Sequence, residues 1–221
     1  MTVVTKGTPI VSAALRVLVM GGKTEGFHEF KIMEPIYSKF LGQAGFDVTT
    51  TEDRDLFKKS SLEKFDVVVD YTTGDSLSEE QSTGLLNRIR SGMGFVGVHS
   101  AADSFHNCRA YERMVGGIFL MHPGIKPYTF KVLNPNHPVM AGVADFVAPE
   151  ELYLMETTGH FELLMSTYWD GFERPVAWVK PYGFGRIFYT ALGHGKEQHE
   201  SAMFQRMVVN AVRWTCASQR G

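Results

Sequence analysis

The sequence predicts an α/β fold, a doubly wound and mostly parallel sheet that continues into an antiparallel or mixed extension. Three observations carry that expectation. Apolar residues in the first half switch repeatedly between strand and helix periods, and the opening strand is a continuous apolar run, the mark of a strand covered on both faces. The second half strings strand-like segments together with only turns between most of them, which suits antiparallel pairing.

Residues 15–20 form the first strand. After Gly21 and Gly22, the apolar residues Met33, Ile36, Tyr37, Phe40 and Leu41 recur at helical spacing, and Gly45 supplies the stop. Pro35 either kinks this helix or marks its first turn. Residues 46–51 alternate as a second strand and residues 65–71 make a third. Ser78 and Gln81 have the spacing of a capping box ahead of Leu85, Leu86 and Ile89 on a second helix. A fourth strand then runs into "GVHSAAD", residues 97–103, and delivers His99, Ser100 and Asp103 to its C-terminal end. In the second half, residues 128–133, 152–156, 161–165, 176–179 and 186–190 read as strands, and residues 202–214 as a closing helix.

The 221 residues, 44% of them hydrophobic, suit a single domain over residues 15–217 behind a tail of residues 1–14. A net charge of −2 with no Lys/Arg block argues against nucleic acid or an anionic membrane as a partner. Cys108 and Cys216 form no CxxC spacing, which suits a reducing, cytoplasmic setting. Arg16 interrupts the apolar start that would otherwise resemble a secretion signal, and no run approaches a membrane span.

The chemistry should sit beyond the carboxyl ends of the parallel strands, where ligands of open α/β sheets bind. His28, His99 and His194 all fall just after strands or at a loop-to-helix junction on that rim. Imidazoles that share a pocket bind a metal, move protons or hydrogen-bond a polyol, so these three are candidate ligands for a divalent metal such as zinc. His122 in "MHPG" and Glu151 in "PEELY" are candidates to join them, with Asp103 or Glu151 orienting a ring. No HxxxH spacing supports the metal independently. His137 in "NPNHPV" reads as a turn-holding residue, His160 as a loop residue, and His199 as the exposed start of the last helix. Trp178 reads as core. "GGKTEG" does not meet the GxxxxGK[ST] pattern, so no ATP site is expected at Lys23.

The stretches "GFVGVHSAADSF", "YERMVGGIFLMHP", "NPNHPV", "EELY" and "RPVAWVKPYGFGRIFYTALGH" together resemble the ThuA-like family, named for trehalose utilisation and similar in fold to class I glutamine amidotransferases. The resemblance implies a flavodoxin-like sheet and a role in carbohydrate metabolism, on keto-sugars derived from disaccharides. Amidotransferases carry a thiolate at a GxCxG elbow and a late His followed by Glu. Here Gly97, His99 and Ala101 occupy the elbow while His194 and Glu197 match the late pair, so glutaminase chemistry is not expected. The function this implies is a keto-sugar isomerase, lyase or hydrolase, with His99, His194, Asp103 and Glu151 catalytic and His28, Ser100 and His122 contacting a small-molecule sugar. The alternative is a non-catalytic sugar-binding or interaction module on the same scaffold, and either reading is compatible with a homodimer.

Overall fold

A computed structural model describes residues 13–22 and 27–217, so most of the expected tail and the segment around Lys23 lie outside the described residues. The elements run in the order β1 (Arg16–Gly21), α1 (Phe30–Gln43), β2 (Asp47–Thr51), α2 (Lys59–Leu62), β3 (Val67–Tyr71), α3 (Glu79–Arg90), β4 (Gly94–Val98), α4 (Arg109–Val115) and β5 (Gly117–Met121). There follow β6 (Ile125–Val132), β7 (Phe146–Glu151), β8 (Leu154–Thr157), β9 (Glu162–Trp169), β10 (Phe172–Tyr182), β11 (Gly185–Thr190), α5 (Lys196–Glu200) and α6 (Ala202–Cys216).

Alternation along the central strands explains why the sheet is wound on both sides. In β1, Val17 and Val19 face one core with α1 and α6, whereas Leu18 and Met20 face a second core with α3 and α4. Val67 and Val69 of β3 join the first core and Val68 the second. No residue of β3 or β4 is solvent-accessible enough to tolerate a charge without a partner, which is the burial that parallel strands require.

The main sheet has nine strands in the order β2-β1-β3-β4-β11-β10-β9-β6-β7. Its first five strands are parallel and the remaining four continue antiparallel, as the sequence predicts. β5 and β8 pair separately as a two-stranded antiparallel ribbon. Among the described residues no helix is long and apolar enough to cross a membrane.

Local signals are realised in detail. Gly45, at φ +89°, donates to Gly42 O while Phe46 donates to Leu41 O, a Schellman closure of α1. Both halves of the Ser78–Gln81 capping box form at the start of α3. Pro35 lies inside α1, past its first turn, so the first-turn alternative fails. β5, β7 and α4 are elements that local pattern does not reveal. β7 contains Pro149 and two glutamates, and it survives because it is the sheet's edge, where a missing ladder donor costs little. β10 likewise extends beyond the expected 176–179 through Pro175, which sits at a register shift against β9.

Candidate functional site

The C-terminal edge of the parallel strands assembles the site. His28 stands between β1 and α1, His99 is the first residue past β4, Gly193 and His194 follow β11, and Glu151 ends β7. His28 (φ 50°) and His99 (φ 44°) both adopt the left-handed backbone that non-glycine residues avoid, at a cost of roughly 1–2 kcal/mol each. At His99 this conformation is tied down by its neighbours. Its carbonyl accepts from the Tyr189 hydroxyl at 2.7 Å, and its Nδ1 lies 2.7 Å from the Ala191 carbonyl.

That second contact decides a tautomer. A carbonyl only accepts, so Nδ1 of His99 carries the hydrogen and the neutral ring presents a bare Nε2 to the site. Nε2 of His99 is buried, has no hydrogen-bond partner and sits 3.4 Å from Glu151 Oε2. The other donors converge on the same point. His194 Nδ1 is 3.1 Å from Glu151 Oε2 and 3.0 Å from His28 Nε2, and His28 Nε2 is 3.9 Å from Glu151 Oε2. One proton on His194 Nδ1 cannot serve His28 and Glu151 together, so lone pairs face one another unless something electropositive stands between them.

The four atoms, from His28, His99, His194 and Glu151, lie within 4.8 Å of one another. Metal bonds of about 2.0–2.1 Å to imidazole nitrogen and carboxylate oxygen require donor separations of roughly 3.3 Å in a tetrahedral set, and the closest pairs here bracket that spacing. The donor set therefore suits a divalent ion once its widest separation, up to 4.8 Å, draws in to the roughly 4.2 Å that two such bonds can span. The surroundings support it in the way outer-shell groups do: Ala191 O holds His99, and Thr73 Oγ1 lies 2.9 Å from His28 Nδ1.

Electrostatics point the same way. Burial first, then the neighbouring His99 and His194, push the His28 imidazole down to about 3, so at neutral pH its lone pair is free. For Glu151, burial alone would raise the carboxyl, but the hydrogen bond from His194 and the neighbouring imidazoles hold it well below the usual carboxylate range. The hydrogen bond to Glu151 raises His194 in turn. Glu150, 2% exposed, lies beside Glu151, 8% exposed, and no lysine or arginine among the described residues pairs with either. Two adjacent buried carboxylates without a fixed cation are a site suited to a doubly charged ion.

Of the other sequence candidates, His122 does reach the cluster: its half-exposed ring places Nε2 3.2 Å from Glu151 Oε1, the oxygen turned away from the three imidazoles. Asp103 instead pairs with His106 at 3.1 Å, and Ser100 is fully buried with its hydroxyl making no hydrogen bond. The acid beside His194 is Glu151, brought in by β7, whereas Glu197 is exposed on α5. Neither cysteine is at the elbow: Cys108 caps α4 and Cys216 ends α6. His199 corrects the expectation of an exposed helix start. It is fully buried, its Nε2 donates to Gly193 O at 2.7 Å, and Tyr71, Tyr37 and Phe204 surround its ring. His137 does hold a turn, accepting from the Val139 N–H, and Trp178 is core. Tyr153, one of the aromatics that the sequence offers as a surface for a sugar ring, instead lies against His99, with ring centres 3.9 Å apart and the planes tilted by 35°.

A family model described as ThuA, trehalose utilisation, matches residues 16–215. The chain belongs to the ThuA family. Its fold matches that of a ThuA-like protein from Parabacteroides merdae, with a TM-score of 0.82 at 21% identity over 93% of this chain and 91% of that one. A ThuA-like protein from Bacteroides uniformis is similar at a TM-score of 0.78 and 22% identity, over 95% of each chain. A β-galactosidase from Rahnella shares the fold more distantly, at a TM-score of 0.63 and 14% identity, over 91% of this chain and 31% of that enzyme. No curated protein matches the chain.

Proposed function

We propose that this ThuA-family chain is an enzyme of carbohydrate metabolism that acts on a keto-sugar or related disaccharide at a divalent metal held by His28, His99, His194 and Glu151. The observation that carries this is the bare, buried Nε2 of His99 aimed at a second imidazole pair and a carboxylate with no hydrogen to satisfy it. The trehalose-utilisation description of the family supports a sugar as the substrate class.

Three imidazole nitrogens and one carboxylate oxygen suit a borderline ion such as zinc better than magnesium or calcium, which prefer oxygen. When bound, such an ion supplies Lewis-acid polarisation of a carbonyl or hydroxyl oxygen. The chain's own groups do the rest. Glu151 turns Oε2 to the three imidazoles and Oε1 to His122, so His122 stands at the rim where it contacts substrate and moves a proton. His28 is neutral and buried, and in the tautomer that donates from Nδ1 to Thr73 Oγ1 it turns the Nε2 lone pair inward.

Metal content of the purified chain, together with turnover of a 3-keto-disaccharide, tests this reading. About one zinc-like ion per chain is expected, lost together with activity in His99→Ala and Glu151→Gln while the fold is retained. A chain that takes up no divalent ion on titration, or variants that keep full activity, would sink it.

A further inference from the structure

Every backbone polar atom of Gly193 and His194 is held by a side chain. Glu150 Oε2 accepts the Gly193 N–H at 2.9 Å and Glu150 Oε1 accepts the His194 N–H at 3.1 Å. The Gly193 carbonyl accepts from His199 Nε2 at 2.7 Å, and the His194 carbonyl accepts from the Tyr71 hydroxyl at 3.2 Å. The three side chains come from β7, α5 and β3. Gly193 itself has φ +119°, and a Cβ there would stand 2.8 Å from Val98 Cγ1, so only glycine lets the chain pass this close to β4.

We propose that Glu150 is the positioning residue of the metal site, clamping this backbone, with Tyr71 on its carbonyl side, so that His194 Nδ1 meets the other three donors. The inference rests on the metal reading above. His194 offers Nδ1, the ring nitrogen nearer the backbone, so a shift of its peptide passes almost directly to the donor atom. Glu150 Oε1 also accepts the N–H of Glu151 at 3.0 Å, so one carboxylate fixes the backbone of two donors drawn from different strands. Among the described residues this buried carboxylate forms no ion pair, and its hydrogen bonds go to this backbone. A glutamine has one oxygen in place of two and would turn an amide N–H toward a backbone N–H.

Cobalt(II) titration of the full chain, read by its visible absorption and by competition with a chelator, tests the clamp. The wild-type chain should bind cobalt. Glu150→Gln should bind about 10- to 100-fold more weakly, the range for outer-shell losses, with an altered spectrum. Tyr71→Phe changes no charge and removes only the hydroxyl that holds the His194 carbonyl; it should weaken binding about fivefold. If wild type binds but both folded variants match it within about twofold, the clamp is overturned and the metal reading stands. If wild type binds no cobalt, it is the metal reading that fails. Should Glu150→Gln not fold, Tyr71→Phe decides: weakening upholds the clamp and unchanged affinity overturns it.

Discussion

Burial pushes the His199 imidazole down to about 3, because its ring is enclosed by Tyr71, Tyr37 and Phe204 and its Nδ1 has no partner to share a proton. The unfolded chain takes up that proton near pH 6.5, while the folded chain refuses it until pH is about 3. Protons therefore favour the unfolded state throughout that window, and stability falls as pH drops through it, by at most about 1.4 kcal/mol per pH unit for one group. His199→Gln keeps a donor for Gly193 O and removes the titration. Urea unfolding in the presence of chelator should show a shallower acid slope for the variant between about pH 6.5 and 5, the difference growing to about 2 kcal/mol; parallel slopes would refute it. This residue also shows where sequence reading stops. His28, His99 and His194 were legible because each follows a strand whose end faces the binding rim. His199 lies in "KEQHE", a polar helical stretch, and its burial comes from β3 and α1, which no local pattern encodes. Glu150 is hidden for a related reason, since two successive glutamates at a strand end read as solvated until β11 brings the Gly193 and His194 N–H groups to one of them.

Elements specified by short-range chemistry were legible and those specified by distant partners were not. α3 has its start written in Ser78 and Gln81, and α1 has its end written in Gly45, because caps are satisfied within a few residues. β5 and β7 depend on β8 and β6, and neither carries the alternation that would announce a strand, since Pro149, Glu150 and Glu151 occupy the end of β7. The contrast gives a test. Ser78 accepts from the Gln81 N–H on an exposed helix start, and Gln81 additionally reaches Asp55 at 2.9 Å, tying α3 to the turn before α2. Ser78→Ala should cost about 1 kcal/mol, a fall in melting temperature of roughly 2–4 °C, with metal binding unchanged because α3 supplies no donor. A variant that melts with wild type would show the box to be dispensable.

The whole molecule is shaped by the need to bring β7 back to β4. In the sheet order β4-β11-β10-β9-β6-β7 the two are five steps apart, about 24 Å in a flat sheet at about 4.8 Å per strand. Yet Glu151 at the end of β7 lies 3.4 Å from His99 at the end of β4. The antiparallel extension must curl over the C-terminal edge, and one core accommodates it: Tyr128, Phe130, Leu164 and Met165 from the extension pack in the same cluster as Val96, Val98 and the apolar face of α6. An ion at the cluster would therefore join the β7 edge to the interior parallel strands β1, β4 and β11, adding its binding energy to the stability of the whole chain. At a free concentration about 100 times its dissociation constant that energy is about 2.7 kcal/mol, which for a chain of this length raises the melting temperature by roughly 5–10 °C. Thermal melts of wild type with zinc and with chelator should show that interval as one cooperative shift. In Glu151→Gln, which removes the donor supplied by the extension, the shift should largely vanish. An equal rise in both chains would mean that zinc acts elsewhere and that the curled sheet is closed by packing alone.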